Sequence, residues 1–293
     1  MNSYPQIFRA FYMEPLALEE SHMLSIHSYL WPRVTGSAPL EPLMAQPGSP
    51  PPSNRLSGGA SHMRRTMAQP SYDQNGNVAD DRYYWSVDGK PNIAVIPING
   101  MISKGAGSFA ESCMGMVNPD RISHALAQAV AAQEVDTIVF DVGSPGGRTT
   151  YIPELSAQIK AATEVRGKML YAFSDTLIAS AAEWIASQCD ECLVTGSSQV
   201  GSIGTYLAFL NPKVAMQMQG YSLELFSQGK HKGLGLPGRD LTQADREYLQ
   251  STVDEINAQF VAAVKSGRPK ASEEALTSAK VFDGPGAVKH GLA

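Results

Sequence analysis

The stretch Asp136–Gly147, DTIVFDVGSPGG, decides the fold class. Its first seven residues are mostly apolar and β-branched, which is typical of a buried strand, and a glycine-rich turn follows. After the turn, apolar spacing predicts a helix over 152–165. Further buried strands are predicted at 92–98, 168–173 and 191–194. Strands that alternate with helices in this way predict an α/β fold of βαβ units.

The remaining segments extend this pattern towards the C-terminus. Asn118-Pro119 opens a helical pattern that runs to Ala131, with proline in the first turn. A short helix is predicted around 179–187 and a strand at 222–227. The last long helix is predicted over 242–264, where Thr242 and Asp245 fit a capping box.

The N-terminal part differs in composition from the rest. Apolar residues recur at helical spacing over 13–30, which predicts a helix there. The stretch 36–71 is rich in Pro, Ser and Gly, so it buries too little apolar surface to offset its ordering entropy. The predicted organisation is a helical appendage over 1–35, a flexible linker over 36–82 and a folded α/β domain over 83–293.

Composition excludes several function classes. The chain has 293 residues with 23 basic and 28 acidic side chains, and its net charge of -5 disfavours nucleic-acid binding through bulk charge. Three cysteines cannot form a disulfide framework, which favours a reducing compartment. No apolar stretch approaches the ~20 residues needed to cross a bilayer, and the N-terminus lacks the apolar core of a secretory signal. We therefore expect a soluble, cytoplasmic protein without a membrane partner.

The turn Ser144-Pro145-Gly146-Gly147 lies where open α/β sheets bind ligands, at the carboxyl end of a strand. Paired glycines allow backbone N–H groups to point outward, which suits an oxyanion or another small anion. The alternative is a strand-to-helix turn that needs glycine for conformational reasons alone. A phosphate loop is excluded, because Arg148 follows where such a loop has lysine.

Two further segments with a candidate role each contain a serine. Ser180, before a short apolar helix, is either an exposed nucleophile or a buried N-cap residue, and the pattern alone favours the cap. Gly201-Ser202, in a turn after a strand, either shapes a binding cleft or allows close backbone packing.

Lys230-His231-Lys232 is either a solvated loop or the site of a buried lysine that acts as a base, because burial disfavours the charged ammonium form. His124 and His290 have no positional support for a Ser-His-Asp triad. Cys189 and Cys192 form a C-x-x-C pair without a second pair or histidines at ligand spacing, so we interpret them as packing residues and predict no metal site.

Five segments occur in a fixed order along the chain: NIAVIPINGMI, DVGSPGG, SAAEWIASQCDE, QVGSIG and SQGKHKGLGLPGRDLT. In this order they resemble signal peptide peptidase A and its relatives, serine peptidases with a Ser–Lys dyad. The resemblance covers Asn92 to Leu292. It implies the fold shared by crotonases and the Clp protease subunit, built from repeated ββα and βαβ units, here preceded by the N-terminal helix and linker.

The resemblance also implies roles for individual residues. Ser180 matches the nucleophile of the family, and Lys232 matches the general base. Gly146 and Gly147 match the turn whose N–H groups form the oxyanion hole. Peptide substrates are then expected to lie near the turn as an added strand, in contact with Ser144, Pro145, Gly201 and Ser202.

The sequence after the nucleophile indicates a branch of the family. Many cellular members have Gly-Gly-Tyr-Tyr there, whereas this chain has Ala181-Ala182-Glu183-Trp184, which is similar to phage and prophage head-maturation proteases. That branch implies scaffold, portal or coat proteins as substrates, a homo-oligomer, and no cofactor. The alternatives are a bacterial peptidase that degrades signal peptides, a catalytically silent structural member, and an acyl-CoA enzyme on the shared fold.

Overall fold

The computed structural model describes residues 16–18, 55–56, 71–72, 78–106, 115–165 and 167–293. The strands in this part of the chain are β1 Leu16–Leu18, β2 Arg55–Leu56, β3 Ser71–Tyr72, β4 Val78–Asp80, β5 Trp85–Val87, β6 Lys90–Asn99, β7 Met101–Ile102, β8 Met116–Val117, β9 Thr137–Gly143, β10 Gly146–Arg148, β11 Met169–Ser174, β12 Leu177–Ala179, β13 Glu191–Val194, β14 Gln199–Gly201 and β15 Val281–Asp283. The helices are α1 Pro119–Ala131, α2 Ile152–Thr163, α3 Ala181–Ala186, α4 Lys213–Met218, α5 Gln243–Gly267, α6 Glu273–Thr277 and α7 Gly284–Lys289.

The largest sheet has the strand order β13-β11-β9-β6-β5-β2. Neighbouring strands from β6 to β13 are parallel, whereas β5 pairs with β6 in the antiparallel direction. Helix α1 connects β6 to β9, and α2 connects β9 to β11. These are the predicted βαβ units, so the α/β fold class and the strands predicted at 92–98, 136–142, 168–173 and 191–194 are confirmed.

The core lies against the parallel strands. Ile96 in β6 is opposite Phe140 in β9, and both are fully buried. Ile98 and Ile138 are fully buried on the same two strands. Side chains of this size each contribute about 1.5–3 kcal/mol to stability when they leave water. Burial of these apolar runs therefore explains why the parallel strands lie in the core.

Local sequence signals set the helix starts. The side chain of Asn118 accepts a hydrogen bond from Asp120 N at the start of α1, and Pro119 occupies the first turn. At the start of α5, Thr242 and Asp245 form the predicted capping box. Helix α3 is held differently: the ring of Trp184 stacks on Phe260 of α5, with 4.7 Å between centroids. Such a pair adds about 0.5–1.5 kcal/mol beyond area burial and fixes α3 against α5.

Two smaller sheets lie around the start of α3. One has the order β12-β14-β15, and the other has the order β1-β10-β7-β8. They are linked by a parallel bridge between Ser144, which precedes β10, and Ile178 in β12. This bridge brings the glycine-rich turn next to the strand that leads into Ser180.

The structure corrects two predictions from sequence pattern. Leu16–Leu18 form a strand on β10, so the helix predicted over 13–30 is wrong at these residues, because an open strand edge satisfies their backbone groups. The remaining residues of that prediction lie outside the described part. The pairs Arg55–Leu56 and Ser71–Tyr72, within the predicted linker, also form strands. The segment 222–227 is exposed and pairs with no strand in the described part of the chain, so the strand predicted there is wrong.

Within the described residues, the helices include none with the length and apolar character needed to span a bilayer. The boundaries proposed from composition, 1–35, 36–82 and 83–293, stay predictions.

Candidate active site

Ser180 lies at the junction of β12 and α3 with an unusual backbone conformation. Its φ is 57° and its ψ is -122°, outside the regions that residues with a side chain normally adopt. A hydrogen bond of 2.9 Å from Ser180 N to Gly201 O holds the residue there. A conformation of this kind costs about 1–3 kcal/mol and persists only where the surroundings enforce it, most often at functional sites. It turns the chain sharply from strand to helix, as at a nucleophile elbow.

The hydroxyl of Ser180 does not cap the helix that follows it. Ser180 occupies the N-cap position of α3, yet its side chain makes no capping hydrogen bond. Its Oγ is buried and has no hydrogen-bond partner among the described residues. Since a buried hydroxyl normally finds a partner, the capping interpretation, which the sequence pattern favoured, does not explain this serine.

The glycine-rich turn lies beside this serine. Ser144 N donates to Leu177 O at 2.9 Å, and Ala179 N donates back to Ser144 O at 3.1 Å. Gly147 must be glycine, because a Cβ there would lie 2.0 Å from Ile102 O. Gly146 has a φ of 92°, which glycine alone adopts without strain. The structure therefore brings the predicted oxyanion glycines close to the residue before Ser180.

The side chain of Ser144 shapes this turn from within. Ser144 Oγ donates to Gly100 O at 2.7 Å and accepts from Gly146 N at 3.1 Å. One of the two predicted oxyanion amides is thus engaged inside the turn. Ser144 and Pro145 are both buried, and contact of either residue with a substrate stays a prediction.

Gly201 and Ser202 lie on the other side of Ser180. A Cβ at Gly201 would lie 2.4 Å from Lys280 O, and Ser202 N donates to the same oxygen at 2.8 Å. Close backbone approach, the second of the two interpretations offered above, accounts for this glycine. Because Ser180 N donates to Gly201 O, the turn also supports Ser180, whereas substrate binding by Gly201 and Ser202 stays a prediction.

Lys232 is not hydrogen-bonded to Ser180 within the chain. It lies in an exposed turn, where its backbone N donates to Gly229 O at 3.1 Å. The turn belongs to the segment 205–240, which we call the arm. The arm is irregular apart from α4, and it carries two strongly exposed apolar residues, Phe226 at 91% and Met218 at 84% of full residue exposure. The dyad implied by the resemblance is therefore not formed by one chain in this conformation.

A buried aspartate fixes the base of the arm. Asp245 accepts from Thr242 N at 3.0 Å and from Thr242 Oγ1 at 2.7 Å. It also pairs with His231 Nδ1 at 3.0 Å and with Arg239 at 2.8 Å. The His231 hydrogen bond, followed by those from Thr242, holds the pKa of Asp245 well below its usual range. The capping box was visible in the sequence, but His231 and Arg239 come from the arm and had no sequence signal.

Glu183 is a second ionisable group that sequence pattern did not place. It lies three residues after Ser180 and is fully buried, and neither carboxylate oxygen has a hydrogen-bond partner among the described residues. Burial raises its pKa to about 8, against a smaller lowering by the charge of Arg268. Glu183 is therefore protonated at neutral pH, which avoids an unpaired buried charge three residues from Ser180.

Cys189 and Cys192 are free and buried, as expected for packing residues. Burial raises the pKa of Cys192 to about 12 and raises that of Cys189 as well, so both remain thiols. No group of three or more His, Cys, Asp or Glu side chains suited to a metal ion occurs in the described part of the chain.

Comparison with known proteins supports a peptidase lineage. The model of Peptidase family S49 matches residues 162–293, which contain Ser180, Lys232 and the arm. Over these residues the chain is similar to peptidase family S49. The resemblance to signal peptide peptidase A-like serine peptidases is thereby confirmed.

Among curated proteins, capsid assembly protease C of Escherichia phage lambda is 30% identical over 202 residues, covering 69% of this chain and 45% of the relative. The head-tail preconnector protein GP5 of Enterobacteria phage P21 is 27% identical over 244 residues, covering 80% of this chain and 48% of the relative. The chain thus spans about half the length of these two relatives. A solved structure, a ClpP1 variant from Listeria monocytogenes, is 10% identical with a TM-score of 0.41, covering 68% of this chain and 88% of the other.

Proposed function

We propose that this chain is a serine endopeptidase of the phage capsid-maturation type, with Ser180 as nucleophile and Lys232 as general base. The observation that carries the proposal is Ser180 at the start of α3, whose backbone is strained and whose buried hydroxyl has no hydrogen-bond partner among the described residues. The match to a peptidase family model supports the reaction class, and the two phage relatives support the biological setting. The substrates on this proposal are scaffold, portal or coat proteins, cleaved in the host cytoplasm or inside an assembling capsid.

The proposed reaction uses Ser180, Lys232 and the two glycines of the turn. An uncharged Lys232 amine accepts the proton of the hydroxyl while Ser180 Oγ attacks a peptide carbonyl carbon. The oxyanion that forms is stabilised by backbone N–H groups of Gly146 and Gly147, with the Gly146 amide released from Ser144. The protonated lysine then donates its proton to the leaving amine, and water hydrolyses the acyl-enzyme with Lys232 again as base.

Lys232 reaches Ser180 on this proposal when two or more copies assemble. Apolar side chains of the arm are exposed in the single chain, and exposed apolar surface of this kind is typical of protein contacts. Burial of the arm against a second copy would remove water from the Lys232 amine, which favours the uncharged form that can accept a proton. The exposed apolar residues of the arm are Val214, Met218, Tyr221, Leu223, Leu225, Phe226 and Leu236.

Active-site labelling tests the proposal. A fluorophosphonate probe is expected to modify Ser180, identified by peptide mass spectrometry, and the Ser180→Ala chain is expected to stay unlabelled but folded. Ser156→Ala is the matched control, because Ser156 is a buried serine on α2. Absence of labelling in the wild-type chain at every pH would favour a catalytically silent member of the fold.

The substrate class is tested with the same purified chain. Phage scaffold, portal and coat proteins are supplied in one set of reactions, and apolar signal peptides in another. Cleavage of the first set, lost in Ser180→Ala, is the expected result. Cleavage of the signal peptides alone would favour the bacterial signal-peptide-degrading activity instead.

A further inference from the structure

The edge of β10 next to the candidate oxyanion glycines is already occupied by the chain itself. One edge of β10 pairs with β7 through Gly147 and Ile102. The other edge pairs with β1 in the antiparallel direction, with Leu16 opposite Arg148, Ala17 opposite Gly147 and Leu18 opposite Gly146. A strand has two edges, so no edge of β10 is left for another polypeptide while β1 is in place.

Strand β1 runs along β10 towards Ser180. From Arg148 through Gly146 the β10 chain leads back to Ser144, which is hydrogen-bonded to Ala179, the neighbour of Ser180. Because β1 is antiparallel to β10, its chain runs from Arg148 towards Gly146 and hence towards Ser180. The backbone of Leu18 therefore lies opposite the first glycine whose amide is assigned to the oxyanion hole.

We propose that Leu16–Leu18 is an internal occupant of the substrate-binding edge, which keeps the site closed until a substrate displaces it. This proposal rests on the peptidase function proposed above. The ligand class of the edge is an extended peptide bound mainly through its backbone, because Gly146 and Gly147 offer no side chains. The burial of Gly146, Gly147 and Ser180 in the single chain fits a site in its closed state.

The strength of the contact suits a displaceable occupant. Strand β1 has three residues, so it offers fewer backbone hydrogen bonds than a longer substrate strand can make. Its attachment to the same chain gives it an effective concentration on the order of millimolar, which excludes weak or dilute peptides. Polypeptides held near the site at high local concentration would then be preferred, as inside an assembling particle.

The test uses the full chain and the rate at which a fluorophosphonate probe labels Ser180. Ala17→Pro removes a backbone donor from β1 and is disfavoured within a strand, whereas the control Ala17→Ser keeps the donor. We expect labelling of Ala17→Pro to be about tenfold faster or more than that of wild type and of Ala17→Ser, with matching thermal unfolding in all three. A synthetic peptide of residues 12–22 is expected to slow labelling of Ala17→Pro, and a scrambled peptide is expected to have no effect.

Each other outcome has a distinct meaning. Equal labelling of wild type and Ala17→Pro overturns the internal occupant and leaves the peptidase proposal intact. Absence of labelling in all chains overturns the peptidase proposal and the occupant with it. Loss of the residues before Glu19 from wild type, but not from the Ser180→Ala chain, supports the occupant, because the segment is then itself cleaved after binding at the edge.

Discussion

At the scale of single residues, the chain keeps an energetically costly arrangement around Ser180. The strained backbone, the unpartnered hydroxyl and the buried carboxyl of Glu183 lie within four consecutive positions. Each of these features reduces stability relative to a relaxed, fully satisfied core. Their concentration at the start of α3 is expected where a reactive group must be held ready for a reaction, because stability and function compete at such positions.

Glu183 predicts a specific pH dependence of stability. Burial raises its pKa from 4.5 to about 8, so between these values the folded chain holds a proton that the unfolded chain has lost. The free energy of unfolding therefore falls as pH rises from about 4.5 to about 8. Glu183→Gln removes this dependence. The free energy of unfolding of the variant, relative to that of wild type, should therefore rise by on the order of 3 kcal/mol when the pH is raised from 5 to 8.

Urea unfolding at the two pH values measures the effect. Glu255→Gln is the matched control, because Glu255 is exposed on α5, and its difference from wild type should be the same at both pH values. A constant difference between Glu183→Gln and wild type would show that the carboxyl is not held neutral in the folded state.

At the scale of elements, the strands of the parallel sheet and helix α5 follow from sequence because local pattern and tertiary environment agree there. Apolar runs such as 92–98 predict a strand by themselves, and the Thr242–Asp245 capping box marks a helix start by itself. The arm differs because the apolar residues of 222–227 resemble a strand, yet they are exposed and pair with no strand in the described part of the chain.

The N-terminal segment is a second case in which local pattern and tertiary environment disagree. The spacing of apolar residues over 13–30 fits a helix, but Leu16–Leu18 pair with β10, which lies about 130 positions away in the sequence. The candidate site depends on contacts of this long-range kind. Ser180 and the two glycines were identified by resemblance, whereas the strain at Ser180 and the partners of Asp245 required the structure.

The contacts of Asp245 predict how firmly the arm is held against α5. Its bonds to His231 and Arg239 join the arm to α5, so Asp245→Asn should free the turn that carries Lys232. Trypsin should then cleave after Lys230 and Lys232 several-fold faster than in wild type, because local opening exposes these bonds. Asp254→Asn is the control, since Asp254 accepts from Gln250 on the same helix. Equal cleavage rates in both variants would show that the arm is held by other contacts.

At the scale of the whole molecule, the proposal separates the nucleophile and its base between copies of the chain. A Ser180→Ala chain keeps Lys232, and a Lys232→Ala chain keeps Ser180, so each alone is expected to be inactive. Mixed assemblies should recover about a quarter of wild-type activity under random pairing, because one site in four combines both intact residues. Recovery is measured after the two chains are dissociated together and reassembled, and an inactive mixture would place the dyad within one chain.

The measurement that tests the central claim most directly is the rate of fluorophosphonate labelling of Ser180 in Lys232→Ala. Lys230→Ala is the matched control, because it removes a lysine two positions away in the same exposed turn. If Lys232 activates Ser180, its loss should slow labelling by about 100-fold or more, as expected for a general base, and the control should label at the wild-type rate. Labelling of Lys232→Ala at the wild-type rate, or an equal loss in Lys230→Ala, would contradict the account.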